Sequence, residues 1–363
     1  MKKNRVYEPI LIKRTLSQAL LGPFTVLYGA VMDLRNVLYR RELLKSYPSP
    51  QFSLVVGNLT VGGTGKTPMV EYLVRELSKK YRIVTLSRGY GRRSRGFVLA
   101  APETTAEQIG DEPLQYYEKF SEKVKVAVCE DRVVGATTLF DLFPEHGLLV
   151  LDDAFQHRSL RADRYLLLND YNRPFYRDFP FPGGRLRENR QGASRADAII
   201  TTKCPPNLGE SQREEIKRKI LRYARQGTPC FFSSIRYGTL RTFDNTEVDA
   251  RSVILVAAIA QPDSFIDYVR SQFNLRDVHM FPDHYAYTAR DVEELLKNSK
   301  NTDLIVTTEK DRVKLRPLAQ QAGVLARFGF IPIEIDFGTD ADAFRSWLQQ
   351  QVEEPVRDRT VRL

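Results

Sequence analysis

Short apolar runs alternate with amphipathic stretches along the first two thirds of the chain. Residues 52–56 form an unbroken, mostly apolar run that predicts a buried strand, and apolar side chains recur at helical spacing from Met69 to Leu77. Further strand-like runs lie at 82–87, 124–129, 148–151, 165–169 and 198–202, and a helical pattern lies at 131–140. Strands that alternate with helices predict an α/β fold, with a mostly parallel sheet flanked by helices.

A second set of elements begins near residue 231. Apolar runs at 253–259, 303–307 and 331–335 predict strands, and helical spacing occupies about 263–273, 289–299 and 340–352. The 363 residues are enough for two domains of ordinary size. We therefore expect a smaller α/β domain after the first one.

The first 45 residues combine positive charge with an uncharged apolar stretch. They hold nine basic and three acidic side chains, a net +6 of the chain's +10. Positions 15–32 carry no charge, but interruptions such as Gly22 and Pro23 argue against a helix that spans a membrane, which needs about 20 mostly apolar residues. Two alternatives remain: a helix in the interface of an anionic membrane, or a helix packed on the protein core.

The most informative motif is the glycine-rich loop between the strand at 52–56 and the helix after it. The loop reads Thr60-Val61-Gly62-Gly63-Thr64-Gly65-Lys66-Thr67. Backbone N–H groups of such a loop surround a nucleotide's β-phosphate, and glycines are needed because side chains would block the backbone's approach. Lys66 would reach the β- and γ-phosphates, and the Thr67 hydroxyl would bind Mg²⁺. Thr60 stands where the usual motif begins with glycine.

One predicted strand ends in two carboxylates, Asp152 and Asp153. P-loop enzymes use an aspartate at a strand end to hold Mg²⁺ or its water ligands, although strands also end in aspartate for reasons of turn geometry. Ligands of parallel α/β sheets bind at the carboxyl ends of the strands. We therefore expect this pair, the phosphate loop and the basic loop at 88–96 to lie together.

Further segments contain residues able to bind phosphate or to transfer a proton. Asp111 lies in a turn, where an acid either caps a helix or acts as a base. Residues 182–188 contain two arginines and a glutamate, which suit phosphate oxygens or a surface salt bridge. Asp283 precedes His284, and such an acid can orient an imidazole for proton transfer unless the histidine is only structural.

Composition restricts the remaining possibilities. Hydrophobic residues make up 42% of the chain and charged residues 28%, which permits an ordinary core without long disorder. Cys129, Cys204 and Cys230 form no C-x-x-C pair, so they are expected to be reduced thiols of a cytosolic protein. Nucleic-acid-binding arms usually lack an apolar run like that at 15–32, so a membrane surface is the favoured anionic partner.

Together these segments resemble the tetraacyldisaccharide 4′-kinase family, the membrane-associated kinases of lipid A synthesis. The matching segments, in the family's order, are 57–68, 87–92, 110–113, 152–157, 184–188, 281–284 and 307–311. Thr60 at the start of the phosphate loop is a feature of the family, whereas Ala154 stands where the family more often has glycine. The apolar and basic N-terminal segment resembles the family's membrane-docking helix.

The resemblance implies Mg²⁺-assisted transfer of the γ-phosphate of ATP to the 4′-hydroxyl of a tetraacylated glucosamine disaccharide 1-phosphate. It implies Asp111 as base, with His284 as its partner and Lys66 as catalytic lysine. The implied ATP-binding residues are Thr60, Val61, Gly62, Gly63, Thr64, Gly65, Lys66 and Thr67. The implied substrate-binding residues are Asn58, Arg88, Tyr90, Arg92, Gln156 and Arg187. The candidate metal ligands are Thr67, Asp152, Asp153 and Glu188.

The expected organisation has three parts. Residues 1–45 form a membrane-associating helical segment, 46–230 a P-loop NTPase-like kinase domain, and 231–363 a smaller α/β domain. The expected partners are the acylated disaccharide lipid and the cytoplasmic face of the bacterial inner membrane. Neither nucleic acid nor an obligate protein partner is expected.

Two other classes share part of this pattern. A nucleotide-driven switch or partition ATPase has a similar loop, but it needs neither a lipid-facing helix nor the Asp111–His284 pair. A GTPase of that kind would place an aspartate two positions after Lys203, where the chain has Pro205. A basic nucleic-acid-binding ATPase would show a steep salt dependence of DNA binding.

Overall fold

The computed structural model describes residues 11–299 and 303–360. Residues 1–10 of the predicted segment 1–45 lie outside this range, as do 300–302 and 361–363 of the predicted domain 231–363. The helices are α1 Leu11–Arg40, α2 Lys66–Leu77, α3 Ala106–Ile109, α4 Asp111–Phe120, α5 Arg132–Leu142, α6 Glu210–Leu221, α7 Asp263–Gln272, α8 Ala289–Asn298, α9 Glu309–Gln321 and α10 Ala341–Thr360. The strands are β1 Tyr47–Pro48, β2 Phe52–Asn58, β3 Ile83–Ser87, β4 Val98–Leu99, β5 Val124–Val128, β6 Leu148–Asp152, β7 Leu160–Arg161, β8 Arg164–Asp170, β9 Ala198–Thr202, β10 Cys230–Phe232, β11 Ser234–Tyr237, β12 Arg241–Thr242, β13 Ser252–Ala257, β14 Asn274–Met280, β15 Leu304–Thr308, β16 Phe328–Ile331 and β17 Ile333–Asp336.

The larger unit is built on an eight-stranded sheet with the order β10-β9-β8-β2-β6-β3-β5-β4. Its pairings are parallel except that of β4 with β5. Every residue of β2 is buried, as expected for a strand covered on both faces. Because β2 pairs directly with β6, Asp152 lies beside the phosphate loop. The predicted α/β fold is thereby confirmed.

Helices cover both faces of this sheet. On one face, Met69 and Leu73 of α2 pack with Phe52 and Val150 of the sheet. On the other face, Leu139 of α5 joins a second buried cluster. The phosphate-loop helix is therefore fixed to the sheet along its length, which holds the loop at its N-terminus in place.

Helix α10 belongs to the core of the larger unit, although its sequence lies in the predicted domain 231–363. Phe344, Leu348 and Val352 pack in the same cluster as Phe52 and Met69. The packing of this helix thus crosses the boundary predicted at 231. Helical periodicity shows which side chains face a core, but it does not show which sheet supplies that core.

The smaller unit carries a five-stranded sheet with the order β12-β16-β15-β13-β14. Strands β11 and β17 pair antiparallel and connect it to the larger unit. The single strand predicted at 331–335 is wrong, because Pro332, which has no N–H to donate, separates β16 from β17. The described strand β14 has no counterpart among the predicted elements.

The two units meet where α9 packs against α4. Val313 of α9 is buried with Ile109 and Leu114 of the larger unit. Nearby, the Lys119 ammonium lies 2.6 Å from a Glu71 oxygen and 2.8 Å from a Glu309 oxygen, which joins α2, α4 and α9. This packing brings the loop that contains His284 to the start of α4.

Helix α1 has one side against the protein and another side exposed. Tyr28 donates a hydrogen bond to the Arg187 carbonyl at 2.9 Å, and Asn36 donates one to Glu188 at 3.0 Å. Over residues 21–40 of this helix, the exposed large apolar side chains are Phe24, Val26, Leu27, Val31 and Leu34. Within the described residues, no helix has the length and apolar character needed to cross a membrane.

Candidate active site

The glycine-rich loop leaves open space above its backbone. Gly62 and Gly65 have φ values of 110° and 85°, which glycine adopts without strain. A Cβ atom added to Gly62 or Gly63 would meet no other atom within 4 Å. The loop therefore has room for a ligand against its backbone, as a phosphate site requires.

Side chains beneath the loop fix its shape. The Asn58 amide donates a hydrogen bond to the Thr64 hydroxyl at 2.8 Å, and the Thr202 hydroxyl donates one to the Thr64 carbonyl at 2.8 Å. Lys203 also donates a hydrogen bond to the Gly63 carbonyl. Asn58 was predicted to bind substrate, but the structure places it fully buried under the loop, where it supports the loop.

The N-terminus of α2 points out of this loop. Its N-cap residue is Gly65, which provides no side-chain hydrogen bond to the N–H groups of the first helical turn. The first N–H groups of a helix lack intrahelical partners and carry partial positive charge, so they bind anions. The Lys66 ammonium at the same place lies 3.5 Å from an Asp153 carboxylate oxygen. The loop, the helix end and Lys66 thus bring together the groups that an anion site requires.

Asp152 is a buried carboxylate with one oxygen free to accept a cation. Tyr116 donates a hydrogen bond to its Oδ2 at 3.0 Å, whereas its Oδ1 has no hydrogen-bond partner among the described residues. Burial, assisted by Glu112 and Asp153, raises the pKa of Asp152 well above its ordinary value. A nearby Mg²⁺ would remove that cost, so this oxygen fits a metal ligand.

Asp153 has different neighbours. Arg187 contacts both of its oxygens, at 2.9 and 3.0 Å, and the Lys66 ammonium lies 3.5 Å from Oδ1. Burial acts to raise the pKa of Asp153, but Lys66 and Arg187 outweigh it and hold the pKa below its ordinary value. No group of three or more His, Cys, Asp or Glu side chains in the described ranges could hold a metal alone. Mg²⁺ usually takes one or two carboxylates and completes its shell with phosphate and water.

Asp111 and His284 meet across the boundary between the two units. Asp111 begins α4 in the larger unit, and its Oδ2 lies 3.5 Å from Nδ1 of His284, which lies in a loop of the smaller unit. His284 has a φ of 60°, and its ring lies 5.0 Å from the ring of Tyr90. Burial acts to raise the pKa of Asp111, but His284 and then Lys314 outweigh it, so the pKa lies below its ordinary value.

These groups face one cavity of about 640 Å³, a size typical of small-molecule sites. The predicted site residues that line it are Val61, Arg88, Tyr90, Asp111, Asp152, Asp153, Gln156, Arg187 and His284. Tyr28, Met32 and Arg35 of α1 line it as well. The cavity therefore lies between the aspartate pair, the Asp111–His284 pair and the N-terminal helix.

Several predicted residues do not line this cavity: Asn58, the phosphate loop except Val61, Arg92 and Glu188. The Glu188 carboxylate accepts hydrogen bonds from Arg195 at 2.7 Å and from Gln156 and Asn36 at 3.0 Å each, and the side chain is buried. Its oxygens are thus occupied, and the geometry does not support the predicted metal role. Arg92 is bound to Glu130 at 2.7 Å and to the Gly96 carbonyl at 2.7 Å, so it fixes its own loop.

The structure also brings forward residues that the sequence prediction missed. Arg132 and His157 line the cavity, and the backbone N–H of Arg132 donates a hydrogen bond to His157 Nε2 at 3.2 Å. Burial, with Arg132 next, lowers the pKa of His157 to about 4, so the ring is neutral. Lys310 and Lys314 lie on α9 beside the His284 loop. Their spacing of four residues puts them on one helix face, and this spacing is the sequence signal that could have identified them as site residues.

A phosphate loop at a helix N-terminus, a lysine, a strand-end aspartate pair and an acid–histidine pair facing one cavity define a P-loop phosphotransferase. The family model described as tetraacyldisaccharide-1-P 4′-kinase matches residues 17–353. The chain belongs to this family.

Individual relatives agree with this membership. The chain is 40% identical over 349 residues to the tetraacyldisaccharide 4′-kinase of Cytophaga hutchinsonii, with 95% of this chain and 97% of that protein covered. It is 43% identical over 300 residues to the enzyme of that name from Flavobacterium psychrophilum, with 81% and 86% covered. A crystal structure of LpxK from Aquifex aeolicus in complex with ATP matches with a TM-score of 0.72 and 25% identity, covering 92% of this chain and 99% of that one.

Proposed function

We propose that this protein transfers the γ-phosphate of ATP to the 4′-hydroxyl of a tetraacylated glucosamine disaccharide 1-phosphate. Family membership supports this activity, as do the names of the relatives. The observation that carries the proposal is the single cavity that contains both the aspartate pair beside the phosphate loop and the Asp111–His284 pair. One part fits a nucleotide, and the other fits an acceptor hydroxyl.

On the nucleotide side, backbone N–H groups from Gly62 to Thr67 and the Lys66 ammonium would bind the β- and γ-phosphates. Thr67 and Asp152 would hold Mg²⁺, because Asp152 has a buried oxygen without a partner in the described structure. Bound Mg²⁺ supplies positive charge that stabilises the transferring phosphoryl group. Lys66, which contacts Asp153 here, would turn its charge toward the γ-phosphate when ATP binds.

On the acceptor side, Asp111 would take the proton of the 4′-hydroxyl as the sugar oxygen bonds to the γ-phosphorus. The bond between the γ-phosphorus and the bridging oxygen to the β-phosphorus breaks, and ADP leaves with that electron pair. The lowered pKa of Asp111 keeps its carboxylate ready to accept a proton. His284 would orient that carboxylate, and Arg88 and Arg187 would bind phosphate oxygens.

The exposed side of α1 would bind the bacterial inner membrane at its cytoplasmic face as a peripheral contact. Phe24 and Leu27 are each 62% exposed, and Tyr28 and Met32 of the same helix line the cavity. A substrate with four acyl chains stays in a lipid phase, so an enzyme that docks there reaches it directly. The proposal needs neither nucleic acid nor an obligate protein partner.

The test is incubation of the protein with γ-labelled ATP, Mg²⁺ and the detergent-dispersed disaccharide lipid, followed by chromatography of the lipid. We expect label in the lipid, and no label when the acceptor is the matched 4′-deoxy lipid. Equal labelling of the two lipids would contradict the assigned acceptor hydroxyl. Absence of any labelled lipid with the wild-type protein would contradict the proposed activity itself.

A further inference from the structure

Lys314 is a nearly buried lysine that contacts both sides of the Asp111–His284 pair. Its ammonium lies 3.4 Å from Asp111 Oδ2 and donates a hydrogen bond of 2.9 Å to the carbonyl of Tyr285. Its side chain is only 10% exposed. Lys314 therefore binds the carboxylate of the larger unit and the loop of the smaller unit at the same time.

The contact to Tyr285 acts on the histidine loop directly. Tyr285 follows His284, whose φ of 60° is a left-handed conformation that non-glycine residues adopt at a cost. A buried donor on the next carbonyl stabilises that conformation. Without it, the loop would lose a hydrogen bond next to its most strained residue.

Lys314 is itself held by a fixed anion. The Asp311 carboxylate lies 3.6 Å from the ammonium and is fully buried. Asp311 also accepts hydrogen bonds from the Ala258 N–H at 3.0 Å and the Thr308 hydroxyl at 2.8 Å. The ammonium is thus anchored to the smaller unit, and Asp111 is its contact in the larger unit.

Other charges face Asp111 as well. His284 contacts it directly and Lys310 of α9 acts on it electrostatically, whereas Asp283 and Glu112 are contacts of Lys310. The Lys310 ammonium lies 3.5 Å from Asp283 and 3.9 Å from Glu112. Lys310 also lies 3.3 Å from His284 Nε2, whereas Lys314 contacts the Asp111 carboxylate directly.

We propose that Lys314 is a positioning residue that holds the Asp111 carboxylate and the His284 loop together across the boundary between the units. This inference rests on the proposed kinase activity, in which Asp111 accepts the hydroxyl proton. Lys314 acts through these two residues and does not line the cavity. The base is then competent only while α9 stays packed on α4.

The test replaces Lys314 by methionine, which keeps most of the side-chain length but removes the charge and the donors. We expect kcat with the disaccharide lipid to fall roughly 10- to 100-fold, because a slight misplacement of a catalytic group costs this much. KM for ATP should stay within about twofold, because the phosphate loop is not altered. Loss of a neighbouring positive charge should shift the acidic limb of the kcat profile upward by about one pH unit.

Two further variants separate positioning from general stability. Lys314→Arg keeps the charge, so the acidic limb should stay near its wild-type position. Arg312→Met removes a different contact across the same boundary, because the Arg312 guanidinium lies 3.0 Å from a Glu118 carboxylate oxygen. This variant should leave the acidic limb of the kcat profile unchanged. The inference is overturned if Lys314→Met keeps the wild-type kcat and limb, or if Arg312→Met shifts the limb equally.

A measurement without substrate keeps this test independent of the proposed activity. NMR titration of the Asp111 carboxyl in protein labelled at aspartate should give a higher pKa in Lys314→Met than in the wild type. An unchanged pKa would contradict the inference even if the wild type phosphorylates the lipid. A wild type that fails to phosphorylate the lipid, together with a raised pKa in the variant, would contradict only the proposed activity.

Discussion

Neighbouring residues of this chain differ sharply in their electrostatic surroundings. Asp152 is buried with one unpartnered oxygen among the described residues, whereas Asp153 contacts Lys66 and Arg187. Asp152 ends β6, whereas Asp153 lies in the turn that follows, with a φ of 50°. The first carboxylate thereby suits a cation, and the second is paired with Lys66 and Arg187.

Lys66→Met should nearly abolish lipid phosphorylation. The ammonium is the fixed positive charge of the phosphate loop, and removing one such group from a transition state typically costs about 100-fold or more in kcat. Steady-state kinetics with the disaccharide lipid measure the loss. A variant that kept more than about a tenth of the wild-type kcat would be incompatible with the assigned phosphate site.

Asp111→Asn should lower kcat by about 10²–10⁴, because the amide keeps the shape of the carboxylate but cannot accept the hydroxyl proton. Nucleotide affinity should change little, since the Asp111 carboxylate contacts His284 and Lys314 of the smaller unit. Isothermal titration with a non-hydrolysable ATP analogue measures that affinity. If kcat stays close to the wild-type value, Asp111 serves only at the start of its helix.

Sequence reasoning predicted neighbouring side chains best where a short motif follows a strand. The phosphate loop, Asp152 and Asp153 are adjacent in sequence to the strands that position them. Glu188 is a candidate metal ligand by its carboxylate, but the sequence does not show that this carboxylate is buried against Arg195. Such a pairing depends on tertiary contacts, which residue type alone does not indicate.

At the scale of single elements, α1 and β14 show what periodicity can and cannot predict. The uncharged stretch at 15–32 indicated an apolar helix, and the structure leaves Phe24, Leu27 and Val31 exposed on it. Strand β14 lies at the edge of its sheet and carries charged and polar residues. None of its residues is fully buried. An edge strand needs no continuous apolar pattern, so it gave no signal.

Leu27→Glu should weaken binding of the protein to anionic phospholipid vesicles roughly tenfold, because burying a leucine side chain contributes about 1.5–3 kcal/mol. Sedimentation with vesicles measures the bound fraction. Leu221→Glu provides the matched control, since Leu221 is an exposed leucine on α6. Equal binding by the Leu27→Glu variant and the wild type would exclude this side of α1 as the membrane contact.

At the scale of the whole molecule, a buried ionic network joins the two units. Glu71 of the phosphate-loop helix, Lys119 of the Asp111 helix and Glu309 of α9 form it, and Gln115 donates a further hydrogen bond of 2.7 Å to Glu71. Burial is the main cause that raises the pKa of Glu71 to about 7, against the opposing effect of Lys119. The family resemblance implied the contact of Asp111 with His284, but this network was not predictable, because its contacts join residues distant in sequence.

Glu71→Gln should change how thermal stability depends on pH. A carboxyl whose pKa is raised on folding stabilises the fold fully below its unfolded pKa of about 4.5, and this contribution is lost as pH rises through about 7. The melting temperature of the variant relative to the wild type should therefore increase from pH 5 to pH 8. Scanning calorimetry measures the melting temperatures, with Glu76→Gln on the same helix as control. A difference between Glu71→Gln and the wild type that stays constant with pH would contradict the raised pKa of Glu71.

The central claim is that one reaction centre forms only where both units meet, with Asp111 from one and His284 from the other. A double-mutant cycle on kcat, with Asp111→Asn, His284→Ala and both together, tests it most directly. If the two residues act as a unit, the double variant should lose clearly less than the product of the two single losses. Losses that multiply as independent factors would contradict the account, because His284 would then act without Asp111.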